Sequence, residues 1–179
     1  MTDIKLQNTL YRHLIVGFSG HRNITNKHLI QKVIERELEK LKLEFTKITT
    51  ISSVASGADT LFLSAANKQE IPTHIILPFE KKRFRNDFCT KDWLQAERLI
   101  NRATDVKVNK STGSHDCQHY LEAGLLTLKG CNILMTVWNG KPSKGLGGTG
   151  DIVAYARQIK KPLLIIDDET GYTTWSNWK

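Results

Sequence analysis

The sequence has few cysteines and lacks any long hydrophobic run. Its three cysteines, Cys89, Cys117 and Cys131, form no Cys-x-x-Cys pair. An odd number without such spacing argues against a disulfide framework and indicates reduced thiols. No apolar segment reaches the length of a membrane span, and the first residues lack the apolar region of a secretory signal peptide. We therefore expect a cytoplasmic protein with no membrane partner.

Internal repeats and low-complexity linkers are absent as well. Of the 179 residues, 40% are hydrophobic and 25% are charged, and both fractions are ordinary for a globular protein. This length suffices to bury a core without disulfides or metals. The sequence thus predicts one domain over residues 1–179, with its core in about 13–167.

The charge balance is basic, with a formal net charge of +8 at pH 7. Such a balance favours an anionic partner, either nucleic acid or a phosphorylated small molecule, although a solvated surface explains it equally well. Aromatic residues do not interleave with the basic ones as they do on RNA-binding sheets. Charge alone selects none of these alternatives.

Strand-like and helix-like segments alternate along the chain. Short apolar runs predict strands, and apolar residues at helical spacing predict helices between them. The predicted strands are 13–20, 47–55, 73–79, 131–140 and 162–167, with a short extended piece at 104–109. The predicted helices are 27–44, 57–69, 93–102, 116–129 and 151–159.

This alternation predicts an α/β fold, with an open, doubly wound, mostly parallel sheet of five or six strands and helices on both faces. Ligands bind such sheets at the carboxyl ends of the strands. Four loops follow predicted strands, at 17–22, 53–59, 77–88 and 138–151, and we expect them to converge on one edge. The tail 171–179 is predicted to cover the core, to form an interface or to mark the boundary with a further domain.

The first loop, GFSGHR, suits a phosphate group. Gly17, Ser19, Gly20, His21 and Arg22 offer backbone N–H groups, a hydroxyl and a guanidinium. The loop lacks the lysine of a P-loop, and His21 stands where a nucleophile elbow needs glycine. A simple glycine turn with a surface arginine is the alternative.

The second loop, SVASGAD, places an acid at the start of a predicted helix. Ser56 and Gly57 precede Asp59, and the glycine permits a close approach of the backbone to a ligand. Asp59 either contacts hydroxyl groups of a ligand or only complements the helix dipole.

The third loop, LPFEKKRFRNDF, is strongly basic. Pro78 ends the strand before it and is counted among the ligand-binding candidates. Arg83 or Arg85 is expected to close over a bound anion.

The fourth loop, GKPSKGLGGTGDIV, contains five glycines between positions 140 and 150. Residues 145–150 match the G-x-G-x-x-G fingerprint of dinucleotide-binding folds, and Asp167 lies where the ribose-binding acid would fall. The motif lies in the last strand–helix unit, however, and several residues separate it from its strand. A phosphate-binding nest at the helix N-terminus is therefore favoured, with Gly147, Gly148 and Thr149 as the N–H donors.

The helix before the last long strand carries polar candidates. His115 and His119, with Cys117 between them, have the spacing of a metal pair, but no third or fourth ligand follows. We expect polar surface residues there and no metal. Glu122 on the same helix is either a surface charge or an acid of the site.

The four loops together resemble the SLOG superfamily. The resemblance rests on VGFSGHR, SSVASGADTLFLSAA, ILPF with RFRNDF, and CNILMTVWNGKPSKGLGGTGDIVAYAR, over about residues 13–167. That superfamily includes LOG-type phosphoribohydrolases, the DNA-processing protein A domain and sensor domains of bacterial defence systems. The resemblance implies a Rossmann-like fold that binds nucleotides or nucleotide-derived ligands, and we expect no cofactor.

The glycine-rich loop departs from the enzymes of that superfamily. Residues 147–151 resemble its phosphate loop, but the glutamate that follows in LOG enzymes aligns with Ala154, and Asp151 is the nearest acid. Tyr120 and Glu122 lie on the upstream helix, where the enzymes have an arginine–lysine pair. Because N-glycosidic hydrolysis needs a positioned carboxylate, the sensor members are the better match.

Three functional hypotheses follow. The first is a sensor domain for a phosphorylated nucleotide or an NAD-derived, cyclic ADP-ribose-like signal, in bacterial defence or stress signalling. It implies a homo-oligomer and an effector that is separate or fused. The second is a nucleoside 5′-monophosphate phosphoribohydrolase or other N-glycosidic enzyme, with Glu122 or Asp151 as acid or nucleophile. The third is single-stranded DNA binding, which the net charge favours.

Overall fold

A computed structural model describes residues 13–110, 113 and 115–178, and this part of the chain folds into seven strands and six α-helices. The strands are β1 (His13–Gly20), β2 (Lys47–Ser52), β3 (Thr73–Leu77), β4 (Asp105–Val108), β5 (Ile133–Val137), β6 (Leu163–Ile166) and β7 (Thr173–Ser176). The helices are α1 (Lys27–Glu44), α2 (Ala58–Lys68), α3 (Lys81–Phe84), α4 (Thr90–Arg102), α5 (Asp116–Gly130) and α6 (Thr149–Gln158). A 3₁₀ turn at Arg85–Asp87 follows α3.

The strands form one sheet in the order β4-β3-β2-β1-β5-β6-β7. All neighbouring pairs are parallel except β6 and β7. The chain builds outward from β1 to β4 and then returns to the other side of β1, where Val16 pairs with Ile133 of β5. The direction of strand order therefore changes between β1 and β5.

Helices cover both faces of the sheet, as predicted. Buried residues of α1, α2 and α4 pack with one set of strand side chains, including Val16, Phe18 and Met135. Buried residues of α5 and α6 pack with the opposite set, including Leu134 and Leu163. Because both faces are covered, the central strands are apolar throughout rather than alternating. The doubly wound, Rossmann-like α/β fold expected from the sequence is confirmed.

Two parts of the sequence interpretation need correction. The sheet has seven strands rather than five or six, because the tail forms β7 and its Trp175 packs against the core beside Trp178, with ring centroids 4.8 Å apart. The basic third loop also contains α3 and a 3₁₀ turn, and α4 begins at Thr90, ahead of the predicted 93. No helix within the described ranges is both long and apolar enough to cross a membrane.

Candidate functional site

A cleft of about 600 Å³ opens at the carboxyl ends of the parallel strands. It lies where the strand order changes direction, which is the place where open α/β sheets bind ligands. The predicted loops 17–22, 53–59, 77–88 and 138–151 all contribute lining residues. Their expected convergence on one edge of the sheet is confirmed.

The loop after β1 forms one wall and is tied to the loop after β5. The N–H of His21 donates to the carbonyl of Val137 at 3.2 Å, and the N–H of Asn139 donates to Nε2 of His21 at 3.1 Å. Arg22 extends over the ring of Tyr120, with the guanidinium carbon 5.3 Å from the ring centroid. Aromatic packing thus holds a cationic side chain at the cleft.

The loop after β2 contains two residues in the left-handed region. Val54 has φ of 59° and is fully buried, and Gly57 has φ of 92°. A Cβ at Gly57 would lie 2.1 Å from the carbonyl oxygen of Arg22, so only glycine fits where these two loops meet. The N–H of Ala58, at the start of α2, donates to the carbonyl of His21 at 3.0 Å. The first two loops therefore form one packed unit.

Asp59 lies in the first turn of α2 and faces this cleft, with only 4% of the residue exposed. The N–H of Ala55 donates to Oδ2 of Asp59 at 3.3 Å. Burial raises the pKa of Asp59 to about 7, against the opposing effects of the Ala55 N–H, Ser52, Gly20 and Arg22. The carboxyl is therefore divided between its neutral and charged forms near neutral pH.

The glycine-rich loop ends at the N-terminus of α6 and forms the opposite wall. The N–H of Gly147 donates to Oδ2 of Asp151 at 2.8 Å, and the N–H of Asp151 donates to Oγ of Ser143 at 2.9 Å. These two bonds fold the loop back onto the first turn of α6. Within the described residues, the N–H groups of Thr149 and Gly150 have no acceptor. Both residues line the cleft, and free N–H groups at a helix N-terminus are suited to an anion.

Asp151 therefore organises the loop. Replacing Asp151 with alanine is expected to lower the free energy of unfolding by about 1 kcal/mol, because the N–H of Gly147 loses its acceptor. Amide hydrogen exchange should quicken at residues 145–149. Asp151→Asn keeps an oxygen acceptor and should change both quantities less. Equal effects of the two substitutions would contradict this role.

The cleft brings together a subset of the predicted residues. Those that line it are Ser19, Gly20, His21, Arg22, Asp59, Pro78, Gly147, Gly148 and Thr149. Ser56 and Gly57 line a neighbouring cleft of about 520 Å³, which shares Arg22 and Asn23 with the first. Gly17 lies deeper in β1 and packs against the side chain of Cys131.

The two predicted anion-closing arginines are engaged elsewhere. Arg83 donates to Asp87 at 2.9 Å and pairs with Asp116, and its guanidinium carbon lies 4.4 Å from the ring centroid of Phe79. Arg85 donates to the carbonyl of Phe88 at 3.1 Å and packs over Trp93. Neither arginine lines the cleft. Both arginines instead stabilise the segment between β3 and α4.

The two candidate catalytic acids also lie outside the cleft lining. Asp151 binds the loop backbone as described, and Glu122 accepts a hydrogen bond from Nδ2 of Asn109 at 3.1 Å. Asp167, the apparent ribose acid of the G-x-G-x-x-G reading, instead accepts from the N–H and hydroxyl of Thr170 in a turn. These contacts are structural.

Several cleft residues were not proposed as ligand-binding residues from the sequence, although Tyr120 was noted on its helix. Tyr120 lines the cleft and its hydroxyl donates to Asp87, while burial and Asp87 raise the pKa of Tyr120 to about 12, so it stays protonated. Lys141 and Lys144 line the cleft and lie between Gly140 and Gly145 in the glycine-rich loop. Their positive charge within that loop was the sequence signal that could have identified them. Asp168 also lines the cleft, with a buried Oδ1 that has no donor among the described residues.

The predicted His115–His119 pair lies on α5 and at its N-terminal boundary. The described residues contain no group of three or more histidine, cysteine or acidic side chains arranged to hold a metal ion. Nε2 of His119 lies 3.0 Å from the carbonyl of Gly113.

Comparison with known structures finds DNA processing protein A. The Helicobacter pylori protein, whose structure was described for its single-stranded DNA binding mode, matches with a TM-score of 0.57 and 19% identity, over 90% of this chain and 67% of that chain. The X-ray structure of the Streptococcus pneumoniae protein matches with a TM-score of 0.59 and 15% identity, over 87% of this chain. This chain spans 50% of the pneumococcal protein. At these identities the likeness shows a shared Rossmann-like fold. No family model and no curated protein matches the sequence.

Proposed function

We propose that this chain binds a phosphorylated nucleotide or nucleotide-derived small molecule in the cleft between β1 and β5. The observation that carries the proposal is that the N–H groups of Thr149 and Gly150, at the N-terminus of α6, have no acceptor among the described residues, and that both residues line the same cleft as Arg22. Helix N-termini and guanidinium groups both favour phosphate. A volume of about 600 Å³ suits a small ligand.

A nucleotide also has groups that suit the rest of the lining. Ribose hydroxyls and amino groups donate hydrogen bonds, and Oδ1 of Asp168 is a buried acceptor that has no donor in the described residues. Lys141 and Lys144 add positive charge beside the glycine-rich loop. This combination favours a ligand that has both an anionic end and donor groups.

Recognition rather than catalysis is the role that we propose, as a sensor that passes ligand binding to an effector. Asp151 and Glu122, the acids proposed for N-glycosidic cleavage, both have structural hydrogen bonds and stand outside the cleft lining. Incubation with AMP and NAD and assay for released base tests the enzyme alternative. Release that is lost in Glu122→Gln would favour the enzyme.

The direct test of the binding proposal is mass spectrometry of small molecules released by denaturing the purified protein, followed by calorimetric titration with AMP, NAD and ADP-ribose. Arg22→Gln should weaken binding of the best of these nucleotides at least about tenfold, since it removes a charge-assisted contact to phosphate. Arg98→Gln, an exposed change on α4, is the matched control and should leave affinity unchanged. Equal affinity of wild type and Arg22→Gln would refute the assignment.

Single-stranded DNA binding is the second candidate, favoured by the structural likeness to the Helicobacter pylori protein and by the net charge of +8. It predicts that affinity for a labelled oligothymidine falls steeply as salt rises, with a slope set by the number of phosphates contacted. Anisotropy measured between 50 and about 200 mM salt tests this. No binding at the lowest salt would remove the candidate.

A further inference from the structure

Asp59 is a nearly buried carboxyl that lines the cleft, with the Ala55 N–H, the Ser52 hydroxyl and the Gly20 N–H as its neighbouring donors. The residue is 4% exposed, it lines the cleft, and its described hydrogen bond comes from the Ala55 N–H at a long 3.3 Å. The left-handed turns at Val54 and Gly57 wrap the backbone of the second loop around it. A buried carboxylate normally requires several close donors.

The charges around Asp59 are few. Arg22, from the loop after β1, is the charged side chain that favours its ionised form, and the Ser52 hydroxyl and the Gly20 N–H favour that form as hydrogen-bond donors. The other titratable groups that line the same cleft are His21, Tyr120, Lys141, Lys144 and Asp168. An anionic ligand that draws Arg22 to its phosphate removes this support for the carboxylate.

We propose that Asp59 is a specificity residue that holds a proton in the bound state and donates its O–H to a lone-pair acceptor of the ligand, such as a ring nitrogen or carbonyl of a nucleobase. This inference rests on the proposed function. It assigns Asp59 the role of a donor, in place of the acceptor of ligand hydroxyls that the sequence suggests. The proton comes from solvent, and no covalent bond changes.

Proton uptake follows from the same electrostatics. Burial already raises the pKa of free Asp59 to about 7, and a phosphate nearby raises it further, because like charges disfavour a second negative charge. Above neutral pH the free carboxyl is ionised and must gain a proton to bind. Affinity should therefore fall about tenfold for each pH unit above the pKa of the free protein.

The test is calorimetric titration with AMP from about pH 7.5 to 9, a range in which a phosphate with a second pKa near 6 is already fully ionised. Two buffers with different ionisation enthalpies give the number of protons taken up, which should approach one. Asp59→Asn is a neutral isostere that can donate an N–H. It should bind AMP with no pH dependence over this range and at least about tenfold more tightly than wild type at the upper end.

The outcomes separate this inference from the proposed function. If wild type binds AMP with flat affinity and no proton uptake, or if Asp59→Asn loses affinity at every pH, Asp59 acts as a carboxylate and the inference is overturned while nucleotide binding stands. If wild type binds neither AMP nor NAD nor ADP-ribose at any pH, both fail. Asp105→Asn, on β4 and outside the cleft lining, is the control and should retain the wild-type pH dependence.

Discussion

Replacing Gly57 with alanine will lower the free energy of unfolding by at least about 3 kcal/mol, or prevent folding. A Cβ at this position would lie 2.1 Å from the carbonyl oxygen of Arg22 and 2.7 Å from its Cα, and φ is 92°. The obstacle is backbone, so no side-chain rotation relieves it. Urea denaturation followed by circular dichroism measures the effect.

Gly145→Ala is the matched control within the glycine-rich loop. A Cβ at Gly145 would meet nothing within 4 Å, and the structure shows no left-handed φ there. Its free energy of unfolding should stay within about 0.5 kcal/mol of wild type. A comparable loss in both variants would mean that the contact between the first two loops does not set the cost.

The second large effect is on the pH dependence of stability. The pKa of Asp59 is raised from 3.8 to about 7 in the folded chain. Between pH 3.8 and about 7, the folded state therefore holds a proton on Asp59 that the unfolded state lacks. The contribution of Asp59 to the free energy of unfolding is fully present below pH 3.8 and is lost as the pH rises through about 7. At pH 8, Asp59→Asn should be more stable than wild type by about 2–4 kcal/mol, because a buried charge is removed.

Urea denaturation of both proteins between about pH 5 and 8 measures this difference. The gap between Asp59→Asn and wild type should widen steadily toward neutral pH and level off above about 7. Asp105→Asn, on the edge strand β4, controls for loss of a carboxylate at a surface site. A constant gap across the range would show that Asp59 ionises in the folded chain as readily as in the unfolded one.

The sequence predicted the core of the fold well where local pattern and packing agree. The helix over 27–44 is found at Lys27–Glu44, because its apolar stripe faces the sheet and the Asn26 side chain caps it by accepting from the N–H of Leu29 at 3.0 Å. β7 was missed because it pairs antiparallel with β6 after a tight turn. Asp167 organises this turn by accepting three hydrogen bonds, one of which comes from the hydroxyl of Thr170, a contact that spacing alone does not reveal.

The site was predicted at the level of loops rather than side chains. Strand topology fixes which loops share an edge, so the convergence of four loops followed from the alternation of elements. Side-chain direction depends on tertiary partners instead. Arg83 forms ion pairs with Asp87 and with Asp116, which lies more than thirty positions away in the chain. Asp151 accepts a hydrogen bond from the N–H of Gly147. These partners could not be assigned before the helices were placed.

The position of β1 at the centre of the sheet has a consequence for synthesis. Strands β1 to β4 come from the first 108 residues, so the ribosome delivers half of the sheet while one edge of β1 still lacks its neighbour. That edge closes only when β5 emerges, more than a hundred residues after β1, and the same event brings the second wall of the cleft. A nascent chain stalled before Ile133 would thus carry Arg22 and Asp59 but lack the second wall of the cleft. Only a chain long enough to include β5 and α6 holds both walls of the cleft.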